Sequence, residues 1–86
     1  MVQKRKILNK VLSGSKNIRL DDFIMLIQAF GFVAGRTKGS HRMFKHPDVG
    51  ELLNLQPDKS GKVKPYQMRQ FLKIVEEYDL RLDEED

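Results

Sequence analysis

Two helical stripes of apolar residues, separated by a stretch that cannot be helical, constrain this chain more than anything else in it. From Met68 onward, Phe71, Leu72, Val75 and Tyr78 recur at offsets of 3, 4, 7 and 10, the period of a helix with one buried face. Pro65 suits the first position of that helix, where a missing N–H is no loss. Upstream, Leu20, Phe23, Ile24, Ile27 and Phe30 form a second stripe. It begins between residues 18 and 21, with Asp21 and Asp22 in its first turn, where the helix dipole favours negative charge, and Gly31 stops it.

Between the stripes, turn residues cut the chain into short runs. Gly39-Ser40, Pro47-Asp48 with Gly50, and Pro57 onward leave three strand candidates at residues 32–36, 41–46 and 51–56. In the first, Phe32 and Ala34 face one way and Val33 and Gly35 the other; in the third, Leu53 and Leu55 are the inward pair. Links this short favour an antiparallel meander. The expected fold is α+β: a three-stranded antiparallel sheet, two helices on one face, the other face open.

Residues 1–13 read as an additional helix, packed at an edge of this layer. Ile7, Leu8, Val11 and Leu12 take one side, and Lys4, Arg5, Lys6 and Lys10 the other; Gly14 closes it. Lysines on such a face ordinarily cover solvent-facing surface. Leu80 and Leu82 read as a short docking segment beyond the last helix, and residues 79–86 as an acidic tail.

An 86-residue chain accommodates one domain with a thin core. The absence of cysteine removes disulfides and thiolate metal sites and fits a reducing compartment. No apolar run approaches the roughly 18 residues of a membrane span, and no signal-type apolar core follows the basic start. The expected location is cytoplasmic, with no membrane partner. The net charge of +4 hides an asymmetry: residues 1–75 hold 15 Lys and Arg against 5 acids, whereas residues 76–86 hold 7 acids against Arg81. A body this basic carries the electrostatic footprint of a polyanion binder.

The candidate site is the basic turn at residues 36–44, which carries His41 into the second strand. Imidazole is the side chain best suited to move a proton near neutral pH, and Arg36, Lys38, Arg42 and Lys45 surround it in sequence. Alternation sets His41, Met43 and Lys45 against Arg42, Phe44 and His46. Each set holds one apolar anchor, so the pattern leaves open which faces the core; with Phe44 inward, His41 points outward. A lone histidine beside a Gly-Ser turn is more often a solvated turn residue than a catalyst, and His46, beside Pro47, reads as a strand end. Adjacent Asp21 and Asp22 diverge by about 100° on a helix and so do not read as metal ligands. Ser60-Gly61-Lys62 lacks the P-loop frame, although a basic Gly loop can hold phosphate through its N–H groups.

Helix, Gly31-Phe32, Gly39-Ser40-His41 and a strand ending at His46-Pro47 together resemble the HicA family of toxin ribonucleases, over about residues 20–75. The resemblance implies a fold similar to a double-stranded RNA-binding domain (dsRBD), with a core at residues 18–78. It also implies His41 as the catalytic residue, RNA (mRNA) as substrate and a HicB-like antitoxin protein as partner. No metal or small-molecule cofactor is expected. Metal-free cleavage would use the RNA's own 2′-OH as nucleophile, with Arg36, Lys38, Ser40, Arg42, Lys45, Lys62 and Lys64 as the expected phosphate contacts. Ser40 as a covalent nucleophile lacks a nearby acid to orient a Ser-His pair. The chain departs from many members in having Leu55-Gln56-Pro57-Asp58 where they carry a Pro-x-His segment. The alternative reading is a non-catalytic RNA-binding or regulatory module on the same scaffold.

Overall fold

Helices and strands form where the stripes and breakers require them. The computed structural model describes residues 4–39 and 41–82. In chain order these are α1 (Lys4–Leu12), α2 (Leu20–Ala29), β1 (Val33–Lys38), β2 (His41–His46), β3 (Val49–Leu55) and α3 (Pro65–Tyr78). The strands form an antiparallel sheet in the order β1-β2-β3. This is an α+β fold compatible with a dsRBD-like arrangement.

One continuous core joins the layers. Phe23, Leu26 and Ile27 of α2, Phe44, Leu53 and Leu55 of the sheet, and Met68, Phe71 and Ile74 of α3 are buried together. Burying side chains of this size contributes about 1.5–3 kcal/mol each. Phe71 meets Phe23, Phe30 and Phe32 edge to face, with ring centroids 5.4, 5.2 and 6.1 Å away. That packing ties both helices and the entry to β1 to a single ring.

Several details differ from the sequence expectation. β1 starts after Phe32 and runs on to Lys38, because β2 continues to pair with it as far as His41. β3 starts two residues early, at Val49, which is buried opposite His46. In α3, Ile74 is fully buried whereas Tyr78 is 39% exposed. The buried line follows Phe71 by three residues and leaves the core before the last turn. α1 packs against α2 rather than at a sheet edge. Its buried stripe is only Ile7 and Val11, so Leu12 is 62% exposed. Residues 1–3 of the expected first helix, and 83–86 of the acidic tail, lie outside the described residues.

The end of α2 is locked to the turn after β2. Gly31 N–H donates to the Gln28 carbonyl and Phe32 N–H to the Ile27 carbonyl, each at 3.0 to 3.1 Å, the paired closing bonds of a helix that ends in a left-handed residue. Gly31, at φ +102°, is that residue, and a Cβ there would lie 2.7 Å from Nε2 of His46. His46 is buried. Its Nδ1 accepts the Asp48 N–H at 3.0 Å, which fixes the proton on Nε2, and Nε2 donates to the Phe30 carbonyl at 3.0 Å. The ring also stacks edge-on against Phe32. His46 is therefore a clasp between α2 and the β2–β3 turn, a stronger role than a strand end.

Truncating the clasp leaves the buried Phe30 carbonyl and the part-buried Asp48 N–H without their partner. His46→Ala is expected to lower the unfolding free energy by about 2–4 kcal/mol, measured by urea denaturation. A loss below about 1 kcal/mol would mean that water replaces both bonds.

Candidate active site on the open sheet face

Residues directly opposite in an antiparallel sheet share a face, so the register sorts the site. Phe44 is buried opposite Ala34 and Leu53, which turns His41, Met43 and Lys45 to the open face. Val33 lies opposite Lys45 and Asn54 opposite Met43, on that same face. Strict alternation along β1 would carry Lys38 to the helix side with Ala34. A bulge prevents this. Pairing passes from Ala34↔Phe44 to Thr37↔Arg42, so Gly35 and Arg36 together oppose Met43, and Lys38 comes to lie opposite His41. The hairpin between them turns through Gly39 at φ +61°.

His41 is exposed, and its Nδ1 lies 3.3 Å from Oδ1 of Asn54. The amide oxygen only accepts, so this bond places the ring proton on Nδ1 and leaves the Nε2 lone pair free. Asn54 is itself held from below. Its carbonyl accepts from Nε2 of Gln67 at 3.3 Å, and Oε1 of Gln67 accepts the Lys64 N–H at 3.3 Å. A buried glutamine in the first turn of α3 thus links the start of that helix to the strand that holds the histidine.

The expected phosphate contacts divide. Lys38 and Lys45 share the open face with His41, and Arg36 sits exposed in the bulge. Arg42 is on the helix side, its guanidinium 3.9 Å from Asp21 at the start of α2, both well exposed. Such a pair contributes less than about 1 kcal/mol and leaves the guanidinium free to contact an anion. Ser40 lies outside the described residues. Lys62 is bridged to Arg19 just before α2, through Val63 N–H to the Ile18 carbonyl and Leu20 N–H to the Gly61 carbonyl. Lys64 precedes α3 and joins the site only through Gln67. The loop's own N–H groups are partly taken: the Asp58 carboxylate accepts from Ser60 at 2.8 Å and Lys62 at 2.9 Å. Any phosphate there would meet mainly side chains.

Asn54 and Gln67 are absent from the sequence-level site. Gln67 carried a signal, since glutamine three residues after a cap position commonly returns to the cap N–H. Asn54 carried none, because its proximity to His41 depends on register.

The fold and the site together define a small basic α+β domain that holds a solvated imidazole on the open face of its sheet. A family model described as the HicA toxin of bacterial toxin-antitoxin matches residues 20–76, and the chain belongs to that family. Membership implies a toxin–antitoxin system, with an antitoxin as partner. Comparison with curated proteins and with solved structures gave no match. Among the described residues, no helix is long and apolar enough to cross a membrane.

The loop beside α2 supplies a pH test. The Asp58 carboxyl is held below the ordinary 3.8, chiefly by the Lys62 N–H; desolvation opposes this, and the Ser60 N–H and the charges of Lys62 and Lys64 add to the lowering. A lowered folded-state value stabilises the loop above the unfolded value and loses that stabilisation as pH falls through the folded one. The Ser60 and Lys62 amide resonances are expected to shift with one midpoint below 3.8, and the step should vanish in Asp58→Asn. A midpoint at or above the ordinary value would contradict the bonding.

Proposed function

We propose that this chain is the endoribonuclease toxin of its toxin–antitoxin pair, cleaving mRNA in the cytoplasm through proton transfer at His41. The observation that carries the reading is the exposed imidazole whose Nδ1 is engaged by Asn54, with Lys38 opposite it and Lys45 further along its own strand on the open face.

RNA brings its own nucleophile. Nε2 of His41 takes the proton of the 2′-OH as that oxygen attacks the adjacent phosphorus, and the bond to the 5′-oxygen breaks. The departing oxygen takes a proton from water or from the imidazolium just formed. A 2′,3′-cyclic phosphate and a 5′-hydroxyl result. The protein moves protons and stabilises charge on the phosphorane, a task for the ammonium groups of Lys38 and Lys45 with Arg36 in the bulge beside them, Arg42 lying on the helix side. Asn54 fixes which nitrogen acts as base. His46 takes no part, because both its nitrogens are engaged in the clasp.

Proton transfer by a positioned histidine is worth about 10²–10⁴-fold in rate. His41→Ala should lose at least that much cleavage of a labelled RNA while keeping its affinity. Undiminished cleavage would refute the assignment, and antitoxin-free wild type that binds RNA without cutting it would favour the regulatory module. Asn54→Ala removes one hydrogen bond of about 0.5–1.5 kcal/mol, so kcat should fall roughly 2- to 13-fold at constant KM. The ¹⁵N spectrum of His41 should show a loss of the Nδ1–H form; an unchanged tautomer would remove Asn54 from the mechanism.

A further inference from the structure

The family match begins at residue 20, so α1 and the segment entering α2 lie outside it. Residues 4–19 hold Lys4, Arg5, Lys6, Lys10, Lys16 and Arg19 and no acid. On a lone helix such lysines would be solvent coverage. Here they are not all on one helix. Lys6 and Lys10 of α1 and Arg19 of the entering segment line one cleft of about 370 Å³, with Ile7 and Ile18 among its walls, Asn17 beside them and Asp22 as the one acid. A volume near the lower end of the roughly 300–1,000 Å³ typical of ligand pockets holds more than a water cluster. A cleft with low-dielectric walls and a surplus of one charge focuses its field on ions of the opposite sign.

We infer that this cleft is a second contact for the phosphodiester backbone of the RNA, and that α1 lengthens the footprint of the toxin beyond the family core. The inference rests on the ribonuclease reading. Placement favours RNA over other anions. Arg19, in the cleft wall, is bridged to Lys62 of the basic loop, and Asp21, beside the cleft's Asp22, faces Arg42 of the strand that bears His41. Cations are therefore spread around the start of α2, from Arg42 on the helix side of the sheet to Lys6 and Lys10 of α1. Ile7 and Val11 anchor α1 in the core, so Lys6 and Lys10 are presented from a fixed helix rather than a loose arm.

The test is binding of a fluorescein-labelled single-stranded RNA by the His41→Ala protein, followed by anisotropy across a salt series. The variant K6Q/K10Q/R19Q is compared with R69Q/K73Q/R81Q, which removes equal charge elsewhere, and circular dichroism confirms both folds. Losing two or three phosphate contacts should reduce the slope of log K against log salt by about 1.4–2.1 for the cleft variant. Its affinity near 0.1 M salt should fall at least about tenfold, and more than that of the control. Equal slopes in the two variants would overturn the inference, as would RNA binding that persists while antitoxin binding is lost. No RNA binding by the parent at low salt would overturn the ribonuclease reading itself.

Discussion

The ring of Phe71 is the contact on which the layers depend. Among the described residues, it is the one side chain touched edge-on by Phe23 of α2, by Phe30 just past the end of that helix and by Phe32 at the entry to β1. Edge-to-face pairs add about 0.5–1.5 kcal/mol each beyond the area they bury. In a chain of 86 residues, whose net stability is a small difference between large terms, three such pairs on one ring are a substantial share. They also fix geometry. With α3 docked on β3 and α2 held beside it, the helices cover one side of the sheet and cannot shield the other.

Which side stays open decides the chemistry. Phe44 enters the core, and the pleat of β2 then turns His41 outward and His46 inward. The same residue type meets two environments five positions apart. His46, buried under Gly31, has both nitrogens assigned by backbone groups, whereas His41 has one nitrogen held and, among the described residues, one free. The bulge at Gly35 and Arg36 completes the arrangement by reversing the face of the residues beyond it. Without that extra residue, Lys38 would point at the helices.

Much of this was legible in the sequence. The two stripes, Pro65 at the start of α3, Gly31 at the end of α2 and the inward pair Leu53 and Leu55 all follow from local rules of period and backbone freedom. What was not legible depends on residues distant in the chain. The start of β3 at Val49 and the length of β1 follow from pairing with β2, and Tyr78 is half-exposed while Ile74 takes the buried line and Leu80 and Leu82 beyond the helix pack against the core. The partner of His41 is 13 residues away across a register that no periodicity encodes. The site residues themselves were only partly sorted: sequence neighbours Arg42 and Lys45 emerge on opposite faces, and Lys62 joins α2 rather than the imidazole.

Exposure of the site separates function from stability in a way a small domain needs. His41, Lys38, Lys45 and Asn54 are all on solvated surface, so none of them replaces an apolar contact that a thin core would miss. On the ribonuclease reading proposed above, the substrate would supply the attacking hydroxyl, which would spare the fold a buried nucleophile and the desolvation such a group would cost. Charged residues are then free to accumulate on the outer surface, where water and counterions screen their mutual repulsion until a polyanion replaces them. The core and the candidate site occupy opposite faces of one strand, and the pleat of β2 is what keeps them apart.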